Sequence, residues 1–229
     1  MMLTVVEELE PEHPRSWQEA AAICVSEIFN RADAPLVHLR NFEENGKKRI
    51  ISSSGPAAEI DDFLNSVLEG LSMVDNHFEG MVQTMDWFQA DEMYWVEEWR
   101  ILGSIAAAVG MKNGNLFPSR GPGGHPEISN NSASAAGVFD SWMIREDITE
   151  TLIRKQSDYG HHNIARFGRR GLVVRTHDKI ARLKNLHLAR SGKAANESLT
   201  DTYTDIIGYS AIGMMWERGW FLLDLTKDI

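Results

Sequence analysis

Three carboxylates near the C-terminal end of the chain are spaced for chemistry. Glu197, Asp201 and Asp205 stand four residues apart twice over. On a helix they spread over roughly 80° of one face. Like charges at that spacing repel by about 0.2–0.5 kcal/mol per pair, so the stripe needs something positive to answer it. A hard divalent cation such as Mg2+ takes oxygen ligands of this kind, one or two carboxylates together with substrate phosphates. A solvated first turn whose acids the helix dipole favours would carry the same pattern.

Two segments upstream supply the opposite charge. In RTHDKIARLKNL, Arg175, Asp178 and Arg182 lie three and four apart on one helix face with Lys179 beside them. Asp178 would add a fourth carboxylate to a metal cluster, and Arg and Lys are the usual partners of phosphate oxygens. A plain salt-bridge network between a basic and an acidic helix fits the same residues. Before it comes KQSDYGHHNIARFGRRG, residues 155–171. Lys155, Asp158 and Tyr159 close a helix that Gly160 is suited to stop. His161, His162, Asn163, Arg166, Arg169 and Arg170 follow in a loop. Tyr, His and Asn stack on or hydrogen-bond to nucleobases, and Arg reads phosphate. An exposed basic loop would look alike. A zinc site on His161-His162 is not expected, since adjacent His residues rarely converge on one metal and Cys24 is the only thiol.

Helices must position these groups. Residues 15–31 carry Trp17, Ala21, Cys24 and Ile28 at helical spacing. Leu36, Val37, Leu39, Ile50 and Ile51 flank an Asn45-Gly46 turn signal and predict a β-hairpin. Helical spacing returns at 57–74 and again over 77–109, where Phe78, Trp95 and Trp99 predict core or a subunit interface. The acids there, among them Asp86, Asp91, Glu92, Glu97 and Glu98, suit a solvated face, a dock for the basic segment or a partner surface. Residues 112–137 hold eight Gly or Pro and read as a linker or lid. Three more helices are predicted at 138–158, 171–190 and 196–217, the last with Asn196 as N-cap. The expected division is an acidic α+β region over 1–111, the linker over 112–137, and an all-α nucleotide-binding domain over 138–229.

Charge sharpens that division. The 229 residues carry a formal net charge of -10, which argues against nonspecific polyanion binding. Yet residues 1–110 hold 20 acids against 7 bases, whereas residues 154–193 hold 11 Lys or Arg against Asp158 and Asp178 alone. An anion is expected at that segment. The short Lys47-Lys48-Arg49 run is too small a patch for nucleic acid by itself. A single cysteine fits a reducing compartment, and no apolar run is long enough to span a membrane. With an N-terminus that lacks the basic and apolar regions of a secretory signal, cytoplasm is the expected location.

The order K-x-x-D-Y-G (Lys155 to Gly160), G-L-V-V-R-x-x-D-K-x-x-R-L-x-N-L (Gly171 to Leu186) and N-E-S-x-x-D-T-x-x-D (Asn196 to Asp205) resembles the nucleotide modification associated domain 1 family. That family is common in phages and related to the all-α nucleoside triphosphate pyrophosphatases, the MazG and dimeric dUTPase group. The resemblance covers about residues 138–217. It implies a mainly α protein with a C-terminal bundle of the pyrophosphatase type, a homo-oligomer (dimer or tetramer), in the host cytoplasm if the protein is a phage's. It also implies Mg2+, or Mn2+, on Asp178, Glu197, Asp201 and Asp205. Lys155, Lys179 and Arg182 would offset charge developing on phosphate oxygens, and Asp158, Tyr159, His162, Asn163, Arg166 and Arg175 would hold the nucleotide. The expected reaction is hydrolysis of a (deoxy)nucleoside triphosphate to monophosphate and pyrophosphate, in nucleotide metabolism or base modification. The E-E-x-x-E motif of the pyrophosphatases is absent from the expected helix; Glu146-Asp147-x-x-Glu150 has its spacing one helix earlier. The alternative is a nonenzymatic protein that binds a nucleotide or nucleic acid and uses its acidic half for a partner.

Overall fold

The computed structural model describes residues 13–36, 39, 57–85, 92–118, 133–188 and 198–226. These residues form helices α1 (Trp17–Arg31), α2 (Ala57–Met85), α3 (Glu92–Lys112), α4 (Ala133–Tyr159), α5 (His162–Ala165), α6 (Gly168–Leu188) and α7 (Leu199–Glu217). The protein is mainly helical, as its periodicities predict.

Each helix has a local cause. Ser16 caps α1, its hydroxyl oxygen accepting from the Glu19 amide at 3.2 Å, and the predicted stripe of Trp17, Ala21, Cys24 and Ile28 is fully buried. Burial pushes the Cys24 thiol up to about 12, which makes it a core side chain at neutral pH and not a nucleophile. In α2, Leu71, Val74, Phe78 and Met81 form one buried stripe that crosses the gap predicted near residue 75, so the helix is continuous there. In α3, Trp95, Trp99, Leu102, Ala106 and Val109 are buried.

The predicted hairpin is corrected at its start. Leu36 and Leu39 are helical, and the Leu36 amide donates to the Ala32 carbonyl at 3.1 Å, the i to i−4 bond of a helix. Short apolar runs satisfy either period, and here the turn after α1 continues the helical one. Val37 and residues 40–51 lie outside the described residues, and no strand occurs among the described ones.

Helix α7 is the centre. Ile206, Ile207, Ala211, Met214 and Met215 are buried on several sides, and α1, α3, α4 and α6 all pack on it. A helix that is apolar all round belongs inside. The α3–α7 approach is especially close: a Cβ on Gly213 would stand 2.6 Å from Trp99 Cγ and Cε2, and one on Gly103 2.9 Å from Ser210 Cβ. Helices from both sides of residues 112–137 therefore share one hydrophobic core. Residues 119–132 of that segment lie outside the described residues.

Several acids of the first half are answered locally. Glu97 pairs with Arg31 at 2.7 Å and with Arg100, and Glu98 with His77 at 3.3 Å. Glu27 takes both Nη atoms of Arg218 at 2.9 and 2.8 Å, tying α1 to the end of α7. One acid of the first half does meet the basic 154–193 segment: Asp75 pairs with Lys184 at 2.8 Å. Among the described residues no helix is long and apolar enough to cross a membrane.

Two glycines in these helices should respond oppositely to alanine. Gly213→Ala drives a methyl group into the buried Trp99 ring and should lower stability by about 1–3 kcal/mol. Exposed Gly80 on α2 has nothing within 4 Å of a new Cβ, so Gly80→Ala should raise it by about 0.5–1 kcal/mol. Urea unfolding of the two variants checks both signs.

Candidate functional site

Helix α4 ends as its sequence predicts. Gly160 takes φ +63°, and its amide donates to the Gln156 carbonyl at 2.8 Å. The chain then turns through α5 and re-enters at Gly168, whose φ of +54° and closeness to the Trp216 ring leave no room for a side chain. Helix α6 buries Leu172, Thr176, Ile180 and Leu183 at helical spacing. Helix α7 starts later than predicted: Ser198, not Asn196, is the N-cap. A serine with an acid three residues on forms a reciprocal capping box.

A cavity of about 420 Å³ lies where α4, α5, α6 and α7 meet, closed on one side by Trp17 of α1. That volume falls in the range of small-molecule sites, roughly 300–1,000 Å³. Lys155, Tyr159, Asn163, Arg175 and Asp205, five of the predicted site residues, line it. Asp205 is the focus. Its Oδ1 accepts from Lys155 Nζ at 2.5 Å and its Oδ2 pairs with Lys179 Nζ at 2.8 Å. Its side chain is 11% exposed. Arg175 donates to the Asn163 carbonyl at 3.4 Å, and Asn163 Oδ1 is buried without a hydrogen-bond partner. Two cations, Lys155 and Arg175, and one carboxylate thus line the cavity, and Lys179 meets the carboxylate from off the cavity wall. Leu152, Ile164 and Ile212 add apolar lining.

The other predicted residues fall elsewhere. Asp158, His162 and Arg166 are exposed and do not line the cavity; Arg166 lies over the Phe167 ring at 5.7 Å. Arg182 is half-buried and also off the cavity wall. His161 is structural, its Nε2 within 3.1 Å of the Leu223 carbonyl and its ring edge-on to Phe221. Arg169 is committed to Glu217. On α6, Arg175 lines the cavity and Lys179 meets Asp205, whereas Leu172, Thr176, Ile180 and Leu183 fix the helix rotation and leave Asp178 exposed.

Of the four carboxylates expected to hold Mg2+ or Mn2+, three are among the described residues. Asp201 Oδ2 accepts from the Ser198 amide at 3.0 Å and from its hydroxyl at 2.9 Å, so Asp201 serves the helix cap. Asp178 faces solvent, and Glu197 lies outside the described residues, ahead of the N-cap. Asp205 is answered by two ammonium groups. Among the described residues no three His, Cys, Asp or Glu come together to hold a metal. The described carboxylates do not fit a shared cation.

Sequence reasoning missed Gln156 and Tyr209, both in the cavity wall. The signal was present: Gln156 follows the lining residue Leu152 by four residues on α4, as Tyr209 follows Asp205 on α7. Comparison of the chain with protein-family models, curated proteins and solved structures finds no match.

Proposed function

We propose that the α4–α7 cavity binds a nucleotide. The observation that carries this is that Lys155 and Arg175, from two helices, line the cavity together with Asp205, whose second oxygen pairs with Lys179. Cations set against a single carboxylate favour a multiply charged anion, and phosphate oxygens accept from Arg and Lys together. The remaining lining suits a base and sugar. Tyr159 and Tyr209 offer ring faces, and Gln156 and Asn163 offer amides, one with an acceptor that lacks a partner. The three-motif resemblance supports a nucleotide over other phosphates, because Lys155, Tyr159, Arg175, Lys179 and Asp205 all fall within it.

Hydrolysis to monophosphate and pyrophosphate through Mg2+ is not part of the proposal. It would need carboxylates that gather, and of Asp178, Asp201 and Asp205 only Asp205 lines the cavity. A nucleotide panel with and without Mg2+, read by thermal shift and calorimetry, tests the reading. One nucleotide at 100 times its Kd should stabilise the chain by about 2.7 kcal/mol. Lys179→Met and Arg175→Met should each weaken it about 10- to 100-fold, the worth of one charge-assisted hydrogen bond. No shift with any nucleotide, or unchanged affinity in both variants, sinks the proposal. Magnesium-dependent pyrophosphate release that Asp205→Asn abolishes would establish the hydrolase instead.

A further inference from the structure

We infer that Asp205 is an internal surrogate for the ligand's phosphate, a carboxylate that holds Lys155 and Lys179 and competes with the ligand for Lys155, the one of the two that lines the cavity. The inference rests on the nucleotide-binding reading of the same cavity and gives its central acid a role opposite to metal ligation.

The geometry is that of an anion already bound. Each oxygen of Asp205 meets a different ammonium group, Oδ1 that of Lys155 at 2.5 Å and Oδ2 that of Lys179 at 2.8 Å. The lysines come from separate helices, α4 and α6, and the carboxylate from a third, so only the tertiary fold brings them together. The carboxylate is largely removed from water, at 11% exposure, whereas Lys155 is 47% exposed. Lys155 is therefore the mobile partner, able to swing from Asp205 to a ligand, and Lys179, at 18%, is the fixed one. The helix cannot draw Asp205 away: Gly208, one turn on, packs so closely on Leu152 that a Cβ there would stand 3.0 Å from Leu152 Cδ2. Asp205 thus stays at the cavity wall when a ligand enters.

Two consequences follow from Coulomb's law. A ligand phosphate near Lys155 also faces a fixed negative charge, which weakens every anion, and the more so the more charge it brings. The carboxylate therefore blunts the preference for di- and triphosphates over monophosphates that Lys155 and Arg175 would otherwise give. Removing it should tighten phosphate binding and steepen that preference. A metal-ligating Asp205 predicts the reverse sign, because its loss removes the ion that bridges protein and phosphate.

The test titrates ATP, AMP and inorganic pyrophosphate into the full chain by calorimetry, with a chelator present and then with Mg2+. The proteins are wild type, Asp205→Asn, Lys179→Met, and Glu146→Gln as a control for the same change in net charge at an exposed position. Circular dichroism checks folding, and Asp205→Ser replaces Asp205→Asn if the latter does not fold. The expected result is binding about tenfold or more tighter in Asp205→Asn with chelator present, a larger ATP-to-AMP affinity ratio than in wild type, and no such gain in Glu146→Gln. Binding by Asp205→Asn alone would support the surrogate role in its strongest form. Weaker or unchanged binding in Asp205→Asn, with wild type still binding and Lys179→Met impaired, overturns the surrogate role and leaves the nucleotide reading standing. Binding by none of the proteins overturns both.

Discussion

Arg169→Ala should cost about 3 kcal/mol of stability, the lower end of what breaking a buried ion pair costs. Arg169 Nε and Nη2 donate to the two oxygens of Glu217 at 2.6 and 2.5 Å, the bidentate geometry that a planar guanidinium allows. The Glu217 side chain is only 3% exposed, so truncating Arg169 leaves a carboxylate in the interior with its partner gone. The guanidinium also sits 4.6 Å over the Trp95 ring, and truncation removes that cation–π attraction as well. At 30% exposure of Arg169, water can enter the gap, which holds the cost near the lower bound. Arg169→Lys would not restore it, since an ammonium cannot serve both oxygens in the plane of the carboxylate. Urea unfolding reads the effect. The double variant Arg169→Met with Glu217→Leu should recover most of the loss, because it removes the buried charge together with its partner. A deficit in the double variant as large as in the single one would mean that packing, not the unpaired charge, dominates.

Trp99→Ala should be at least as damaging, by about 3–5 kcal/mol. Trp99 is fully buried, and its ring fills the space that Gly213 leaves open on α7. Deleting it opens a cavity at the closest approach of two helices, where neither backbone can close the gap without moving the core. Trp99→Phe should cost far less, about 1 kcal/mol, since most of the apolar area remains and the indole Nε1 has no hydrogen-bond partner to lose. The shape of the transition is as informative as its midpoint. Because α3 and α7 share one core, Trp99→Ala should shift a single cooperative transition. Two separated transitions would mean that the chain divides near residues 112–137 after all.

The Arg169 and Trp99 pairings also show why a sequence undersells this core. Neither Glu217 nor Gly213 stands out in its own helix, and each acquires its role from a residue 48 or more positions away. The spacing of Trp17, Ala21, Cys24 and Ile28 sufficed to place α1, because an apolar stripe of helical period has one way to bury itself. The Gly160 stop was legible for the same kind of reason, a left-handed backbone that glycine adopts without strain. Leu36 and Leu39 were misread as strand because a short apolar run does not distinguish the two periods.

For the site, the sequence determined which side chains have the chemistry. Lys155, Tyr159, Asn163, Arg175, Lys179 and Asp205 all lie in or just after the segment where charge changes sign, and their types point to an anion without any structure. Only the tertiary structure decided what each one faces. Rotation of α6 about its buried stripe turned Lys179 inward and Asp178 outward, although they are adjacent in sequence. The capping box gave Asp201 a local hydrogen-bonding duty that its spacing from Asp205 does not reveal. The stripe of acids called for a cation, and Asp205, its side chain only 11% exposed, found two lysines, one on each of two neighbouring helices. Spacing along a helix fixes which residues share a face, whereas the packing of the other helices fixes what that face meets.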